Sequence, residues 1–347
     1  MIKRPPKGNM SNPFQKIAEE NPDKLTEYLE LFSPIDEKGR YLPFDEVRYR
    51  IPKGLDTKLV WSIIKLARER QLQYIIDIGE PKKICNFFLT PTIQKAMSET
   101  DRNTTSASLE WMFSKIGEEK HLEYLLNDLV EDEAISSSQL EGAATTTQVA
   151  KDLLKRHRKP RTPDEKMILG NFKMMTFAWE NRHKDLSVDL ILQFHKIGVE
   201  GIDDESYFPG VLRNTNNVEV IDGEGNTVHT PPTYEGLSKR LKKISKWANE
   251  CHHDIDNNEY FHPLIKAMTL HFIIGYEHPF RDGNGRVARS IFYWYMFKND
   301  FAAFRYIAIS LLLNKAPVQY GKSYIYTETD NMDLTYFLEH QSKTVLR

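Results

Sequence analysis

The sequence predicts a mainly α-helical protein that carries one short β-hairpin. Apolar residues recur with helical spacing through most of the 347 residues, as at Leu59, Ile63 and Leu66 on one predicted helical face. One segment breaks this periodicity, because residues 217–221 and 226–229 flank an acidic, glycine-rich turn. Two short β-prone runs around such a turn are typical of a hairpin.

The chain is predicted to have three parts in order. Residues 1–115 read as a helical N-terminal region of unknown role, with a polar stretch at 98–106 that is typical of a linker. Residues 116–160 hold a long helical pattern with small and hydroxyl-bearing residues in its middle, and Pro160 ends it. Residues 161–347 are predicted to form the core domain, in which further helices precede and follow the hairpin.

Composition indicates a soluble protein and proposes no nucleic-acid partner. Charged residues make up 28% and hydrophobic residues 40% of the chain, and the net charge of -2 gives no overall attraction to nucleic acid. No run approaches the roughly 20 apolar residues that span a bilayer. The first residues lack the apolar stretch of a signal peptide. With only Cys85 and Cys251 present, we expect reduced thiols and a cytoplasmic protein without a membrane partner.

The segment that is most informative about chemistry joins two predicted helices. An apolar helix ends at His278, and a loop with Gly283 and Gly285 leads into the next helix. Glycines let the backbone approach an anion closely, and the amides at a helix N-terminus favour negative charge. No Gly-x-x-x-x-Gly-Lys-Ser/Thr sequence occurs in the chain, so the loop predicts a phosphate site other than a Walker loop.

Four side chains of this segment have a chemical role if a polyphosphate binds there. Arg286 and Arg289, one turn apart, can clamp phosphate oxygens. Asp282 suits Mg²⁺ held through one carboxylate and the substrate's phosphates. His278, with an unperturbed pKa of about 6.5, can accept a proton from an attacking hydroxyl. Taken singly, each residue has a structural alternative, such as a buried histidine or a solvated basic face.

From His278 to Arg289 the sequence resembles the signature of the Fic family, His-x-Phe-x-Asp/Glu-Gly-Asn-Gly-Arg-x-x-Arg, and it matches at every defined position. The similarity extends over about residues 120–340. It implies a Fic-type helical catalytic core with the hairpin as a flap. It also implies a protein adenylyltransferase, which transfers AMP from ATP to a protein hydroxyl. Gly285 stands where the related, phosphorylating Doc branch has a lysine, which favours nucleotidyl transfer.

The resemblance implies a role for each residue of the loop. His278 would be the general base, and Asp282 would hold Mg²⁺. Phe280, which is also assigned to nucleotide binding, would anchor the loop in the core. The other residues assigned to nucleotide binding are Gly283, Asn284, Gly285, Arg286, Arg289, Tyr320 and Tyr324. For the two tyrosines, which would line the adenine pocket, core packing explains the positions nearly as well. The target-docking flap would comprise Val218, Glu219, Val220 and Ile221.

A second motif precedes the core. Ser137 and Glu141 lie one helical turn apart, face the same way, and are followed by Gly142. They resemble the family's inhibitory motif Ser/Thr-x-x-x-Glu-Gly/Asn. In that family the glutamate pairs with the second arginine of the signature, here Arg289, and occupies space that the γ-phosphate needs. Alone the motif is common, and a surface glutamate near a helix end is the alternative.

Three further residues have no assigned chemical role. His195 and His271 lie in apolar helices and are predicted to be core histidines. Glu277, next to His278, would either raise the pKa of that histidine or face solvent.

The leading function is an autoinhibited adenylyltransferase that uses ATP and Mg²⁺ on a protein with a Ser, Thr or Tyr hydroxyl, itself included. One alternative is removal of AMP from a protein, with Glu141 activating a water molecule. The other is a regulatory binding module with a silent core, which ranks low because no winged-helix segment follows the core before Arg347. The sequence leaves the oligomeric state open, with a homodimer as one option.

Overall fold

The computed structural model of the chain describes residues 2–6, 12–116, 119–202, 207–252 and 260–347. Most of these residues are helical. In chain order the α-helices are α1 (Pro13–Glu20), α2 (Leu25–Glu30), α3 (Phe44–Val47), α4 (Thr57–Glu69), α5 (Pro91–Asn103), α6 (Ser106–Ile116), α7 (Glu119–Leu140), α8 (Thr147–Lys155), α9 (Pro163–Glu180), α10 (Val188–Val199), α11 (Leu237–Asn249), α12 (Pro263–Glu277), α13 (Asn284–Lys298), α14 (Ile309–Lys315), α15 (Pro317–Thr329) and α16 (Thr335–Val345). The strands are β1 (Gln73–Ile78), β2 (Lys83–Phe87), β3 (Val220–Ile221) and β4 (Thr227–His229).

The chain divides into two compact units. One comprises Met1–Asp77, Lys83–Lys95 and Gly321–Lys343, and the other comprises Ile78–Lys82, Ala96–Tyr320 and Thr344–Arg347. The three-part division proposed from the sequence stays a prediction. No helix in the described ranges combines the length and apolar character that a membrane crossing requires.

The first unit is organised around an apolar cluster and a buried arginine. Ile17 and Ile63 are fully buried in the cluster. The guanidinium of Arg68 lies 3.7 Å from the centre of the Tyr41 ring and donates a 2.8 Å hydrogen bond to the Tyr336 hydroxyl. A charge buried in this way is satisfied by hydrogen bonds and by the negative faces of aromatic rings.

The second unit is built around α12 and α13, which contact each other. Both helices are buried nearly all round. α12 is mostly apolar, whereas α13 also buries Arg286 and Arg289. One face of α13 is formed by Val287, Ile291 and Trp294, which are at most 1% exposed. Helices α9 and α10 pack against α13. Helix α10 also contacts the α12–α13 loop through His195.

The predicted fold class is confirmed: the chain is mainly helical, and the hairpin lies where it was expected. Strands β3 and β4 pair antiparallel, with Val220 opposite His229 and Ile221 opposite Thr227. A second two-stranded sheet, β1 with β2, was not predicted. Its first strand has three buried isoleucines, Ile75, Ile76 and Ile78, a residue type that favours strands.

The prediction of a linker at 98–106 is wrong, because these residues belong largely to α5 and α6. One buried hydroxyl in this stretch bonds to the preceding helical turn. The hydroxyl of Thr104, which is 7% exposed, donates to the Thr100 carbonyl at 2.7 Å. A hydroxyl that bonds to the preceding turn lets a polar stretch remain helical and buried.

Candidate active site

The loop between α12 and α13 begins with a residue in an unusual conformation. His278 caps α12 with φ 48° and ψ 59°, in the left-handed region that costs a non-glycine residue about 1–2 kcal/mol. At the other end, Gly283 has φ 83° and caps the start of α13. A β carbon there would approach the Val199 side chain at 3.1 Å. Glycine therefore meets both a conformational and a spatial requirement at this position.

Asn284 closes the loop from inside. Its side-chain oxygen accepts a hydrogen bond from the Phe280 amide at 2.9 Å, and its side-chain nitrogen donates to the Phe280 carbonyl at 2.9 Å. The residue is 2% exposed. The Asn284 carboxamide, assigned from the sequence to the nucleotide, thus shapes the loop that presents the other residues.

His195 supports the same loop from α10. Its ring stacks on Phe280 with the centroids 3.7 Å apart and the planes 7° from parallel. Nδ1 accepts a hydrogen bond from the Gly210 amide at 3.1 Å, so the proton is on Nε2, which donates to the Asp282 carbonyl at 3.0 Å. Burial lowers the pKa of His195 to about 4. The prediction of a core histidine is confirmed, but its contacts with the loop, 87 residues along the chain, had no local sequence signal.

His278 is held as a neutral imidazole with one nitrogen available. Nδ1 lies 3.2 Å from the Gly275 carbonyl, and because a carbonyl only accepts, Nδ1 carries the proton. Nε2 then has a free lone pair. Burial lowers the pKa of His278 from its ordinary value near 6.5 to about 4. The group can therefore accept a proton at neutral pH.

Both expectations for Glu277 are wrong. Its side chain is fully buried, so it does not face solvent, and the pKa of His278 is lowered rather than raised. One carboxylate oxygen pairs with Arg240 Nε at 2.8 Å, and the other accepts from the Gly79 amide at 2.8 Å. A buried carboxylate requires such partners. Glu277 therefore has a structural role next to His278.

Arg286 and Arg289 both present a buried donor without a partner in the described part of the chain. Arg286 donates to the Gly198 carbonyl at 3.0 Å and to the Tyr207 hydroxyl at 3.3 Å, while its Nε is unpaired. On Arg289, 2% exposed, the unpaired donor is Nη1. Buried N–H groups without a partner are rare and costly. Two of them beside one loop indicate a site for an anion.

The rest of the Arg289 guanidinium is bonded to α7 and the residue that follows it. Nε donates to the Ser137 hydroxyl at 2.8 Å, and Nη2 donates to the Ser137 carbonyl at 3.0 Å. Nη2 also forms an ion pair with Glu141 Oε1 at 2.9 Å. Burial alone would lower the pKa of Arg289. The adjacent Glu141 carboxylate outweighs this effect, so that the pKa is raised.

Glu141 lies directly against the first turn of α13. A β carbon on Gly285 would be 2.2 Å from Glu141 Oε1 and 3.0 Å from Arg289 Nη1. Any larger residue at 285 would therefore displace the carboxylate. The chain turns away after Glu141 at Gly142, whose φ is 96°. The carboxylate thus lies beside the first turn of α13, close to the helix N-terminus that favours an anion.

Comparison with known proteins identifies this region. Residues 185–296 match the family model described as "Fic/DOC family". The chain contains a Fic domain. The domain includes α10, the hairpin, α11, α12 and most of α13, whereas Glu141 and Ser137 precede it.

Curated relatives of the Fic-domain chain are named as adenylyltransferases. "Protein adenylyltransferase fic-1" from Caenorhabditis elegans is 29% identical over 123 residues, which are 34% of this chain and 21% of the relative. "Protein adenylyltransferase Fic" from Nematostella vectensis is 38% identical over 61 residues, which are 18% of this chain and 13% of the relative. The matches therefore span about a fifth or less of these two relatives' length.

Solved structures support the fold. A Fic family protein from Desulfovibrio desulfuricans G20 has a TM-score of 0.57 at 18% identity, covering 74% of this chain and 72% of that chain. A fragment of Fic-1 from C. elegans has a TM-score of 0.57 at 16% identity, covering 98% and 91%. The likeness at these identities shows a shared Fic-type helical architecture.

Asp282 is the one acidic residue of the Fic-domain loop. It is partly exposed, and its carboxylate accepts a hydrogen bond from the Gly283 amide. Among the described residues, no group of three or more His, Cys, Asp or Glu side chains could hold a metal ion. A Mg²⁺ ion at Asp282 would thus take one protein carboxylate and complete its shell with phosphate oxygens and water, which is how this ion commonly binds beside nucleotides.

The two tyrosines assigned to the adenine pocket make different contacts. Tyr320 belongs to the second unit, and its hydroxyl lies 2.7 Å from Nε2 of the buried His271. Tyr324 belongs to the first unit, where it packs edge-on against Phe337 with ring centroids 4.7 Å apart. The core-histidine prediction for His271, which is 2% exposed, is confirmed. The nucleotide role of the tyrosines stays a prediction.

The hairpin carries exposed side chains. Ile221 is 63% exposed, and Val218 and Val220 are partly exposed. Glu219 is exposed, and its carboxylate accepts a 2.6 Å hydrogen bond from the Thr227 hydroxyl across the hairpin. An exposed two-stranded ribbon offers unpaired backbone groups to a third strand.

Proposed function

We propose that the chain is a protein adenylyltransferase, which transfers AMP from ATP to a protein hydroxyl and is inhibited by Glu141. The names of the curated relatives support the reaction class. The observation that carries the proposal is the carboxylate of Glu141, which lies over Gly285 and pairs with Arg289. It places negative charge beside Arg289, whose Nη1 has no partner among the described residues and could bind an anion.

The transfer reaction needs a base, which His278 supplies. Its Nε2 takes the proton of the target hydroxyl, and the hydroxyl oxygen forms a bond to the α-phosphorus. The bond between the α-phosphorus and its bridging oxygen breaks, and pyrophosphate leaves. Because the pKa of His278 is lowered to about 4, the imidazole is already neutral at pH 7 and ready to accept the proton.

The phosphates are bound by donors that the loop leaves available. These are the amides at the start of α13, Nε of Arg286 and Nη1 of Arg289. Asp282 would hold Mg²⁺ beside the phosphates, where the ion would neutralise negative charge. Removal of Mg²⁺ with EDTA is therefore expected to stop transfer.

Glu141→Gly tests the proposal directly. Glycine removes the carboxylate and frees Nη2 of Arg289, so nucleotide affinity and transfer should both rise. Each 1.4 kcal/mol of competing ion pair that is removed corresponds to about tenfold. The measurement is incorporation of label from α-labelled ATP into the protein itself and into lysate proteins, with nucleotide affinity measured by calorimetry.

Glu180→Gly is the matched control, because Glu180 is an exposed glutamate at the C-terminal end of α9. It should leave both quantities at the parent value. If Glu141→Gly shows the same affinity and transfer as this control, Glu141 does not inhibit. If neither the parent nor Glu141→Gly labels any protein, the silent binding module is favoured.

Removal of AMP is a second candidate function, favoured by the second oxygen of Glu141. Oε1 pairs with Arg289, whereas Oε2 forms no hydrogen bond to a described residue, so it is free to accept a proton from water. Protein that Glu141→Gly has labelled serves as the substrate. If the parent protein releases AMP from it and Glu141→Gly does not, removal is an activity of the same site.

A further inference from the structure

The backbone turn that carries His278 is bonded on its outer side to one arginine. The Arg213 amide donates to the Pro279 carbonyl at 2.9 Å. Its side-chain Nε donates to the His278 carbonyl at 2.8 Å, and its Nη2 donates to the Glu277 carbonyl at 3.3 Å. Three successive carbonyls therefore depend on Arg213, which is itself 4% exposed.

The same guanidinium joins the two ends of the hairpin segment. Nη1 donates to the Thr215 carbonyl at 3.0 Å, and Nη2 donates to the Pro232 carbonyl. Thr215 precedes β3 and Pro232 follows β4. Arg213 thus fastens the base of the hairpin and the His278 turn with one planar, multidentate group, a geometry that a lysine ammonium does not reproduce.

The hairpin reaches the turn at a second point. His229, the last residue of β4 and 8% exposed, lies with Nε2 2.8 Å from the Tyr276 carbonyl, to which it can only donate. The carbonyls of residues 276–279 therefore all bond to His229 or Arg213. These are the carbonyls at and just beyond the end of α12, which have no partner within the helix.

A left-handed histidine persists only where its surroundings hold it. Arg213 precedes the residues assigned to target docking, and His229 lies on the strand that pairs with them. The contacts of both converge on the backbone around His278. The buried carboxylate of Glu277, paired with Arg240 at 2.8 Å, lies within this network. Arg240 also donates to the Glu235 carbonyl at 2.9 Å, which ties the segment after the hairpin to the same place.

We propose that Arg213 is a positioning residue that couples the hairpin to His278, so that an extended segment of the target bound along the hairpin also fixes the imidazole for proton transfer. This inference rests on the proposed adenylyltransferase function. The partner is a protein segment in extended conformation whose hydroxyl residue reaches His278. Backbone pairing would align it, as in other cases of strand addition.

Arg213→Lys, made together with Glu141→Gly, is the first test. Misplacing a reacting group by about 1 Å costs on the order of 10²-fold, so kcat for self-labelling should fall by about that factor. Nucleotide affinity should be unchanged, because Arg213 contacts neither Arg286 nor Arg289. Arg182→Lys is the matched control, since Arg182 bonds the Trp179 carbonyl near the end of α9. Unchanged kcat, or a parallel loss of nucleotide affinity, would overturn the proposal.

A second measurement does not depend on transfer and separates this proposal from the proposed function. In nucleotide-free protein with labelled histidine, Arg213→Lys should shift the ring signals of His278 and leave those of His195 in place. If the lysine variant does not fold, His229 provides the test. His229→Gln keeps a side-chain donor and should preserve the His278 signals, whereas His229→Leu should shift them. Signals that stay in place in every folded variant would contradict the coupling.

A double-mutant cycle tests the link to the hairpin itself. Val220→Pro disturbs β3, and Arg213→Lys disturbs the connection to His278. If both act through one path, the double variant loses less kcat than the product of the two single losses. Losses that simply multiply would show that the hairpin and Arg213 act independently, and the coupling would be wrong.

Discussion

Two histidines meet at one loop, and their hydrogen bonds give them different chemistry. Burial lowers the pKa of His195 and of His278 to about 4 in each case. Both ring nitrogens of His195 are used, one by the Gly210 amide and one by the Asp282 carbonyl. His278 uses Nδ1 alone, on the Gly275 carbonyl. Only His278 therefore keeps a nitrogen with which to take a proton from a substrate.

Replacing His278 should separate chemistry from binding. His278→Ala should lower AMP transfer by about 10²–10⁴-fold, the usual contribution of a general base. Nucleotide affinity should be retained, because the phosphates are bound by the loop amides and arginines. His183→Ala, an exposed histidine, is the control for the loss of an imidazole. Transfer at the parent rate in His278→Ala would refute its role as base.

At the residue scale, interacting residues could be predicted where a local pattern or a family signature connects them. Ser137 and Glu141 are one turn apart, and the ion pair of Glu141 with Arg289 is present as expected, while its inhibitory role stays a prediction. The partners of His278 could not be read in the same way. Arg213 lies 65 residues away, and no periodicity connects a hairpin base to a helix end.

At the scale of elements, strong apolar periodicity made the helices that hold the site predictable. α12 and α13 are buried nearly all round, and the hairpin has a turn of glycine and acidic residues. The sheet of β1 and β2 was not predicted, and residues 98–106 were predicted as a linker although most of them are helical. Their polar character obscured the helices, since Thr100 and Thr104 are buried despite their hydroxyls. Burial of a polar residue depends on tertiary partners, which the local sequence does not reveal.

The hairpin should matter for the protein substrate and not for the nucleotide. Val220→Pro removes a backbone donor and disturbs the pairing of Val220 with His229, so transfer to a protein should fall while binding of a nucleotide analogue persists. Ile221→Thr is the matched control, because it changes an exposed side chain but keeps the N–H and β-branching. Equal losses of transfer and nucleotide binding in Val220→Pro would indicate misfolding rather than a docking role.

At the scale of the whole molecule, buried ionisable groups predict how stability responds to acid. A histidine whose folded pKa is lower than its unfolded value of about 6.5 takes up a proton more readily when unfolded. His195 and His278 therefore remove stability as the pH falls from about 6.5 to 4. Glu165, whose pKa its ion pair with Arg158 lowers to about 2, stabilises above about 4.5 and loses this contribution only at lower pH. Burial raises the pKa of Glu133. Glu133 therefore adds stability as the pH falls, whereas the two histidines remove it.

His195→Gln isolates one of these contributions. Glutamine is neutral at every pH and keeps an amide donor for the Asp282 carbonyl, so it removes the titration but not the hydrogen-bonding type. With a folded pKa of about 4, His195 should lower the free energy of unfolding by about 2 kcal/mol between pH 8 and pH 5. Urea unfolding gives the free energy of unfolding of both proteins across this range. The value for the parent minus that for the variant should fall by that amount as the pH falls. Glu133, Glu165 and His278 are present in both proteins and cancel in the difference. His183→Gln, at an exposed site, should reproduce the parent curve. A constant difference between parent and His195→Gln would mean that His195 titrates alike in the folded and unfolded chains, contrary to its burial and its two hydrogen bonds.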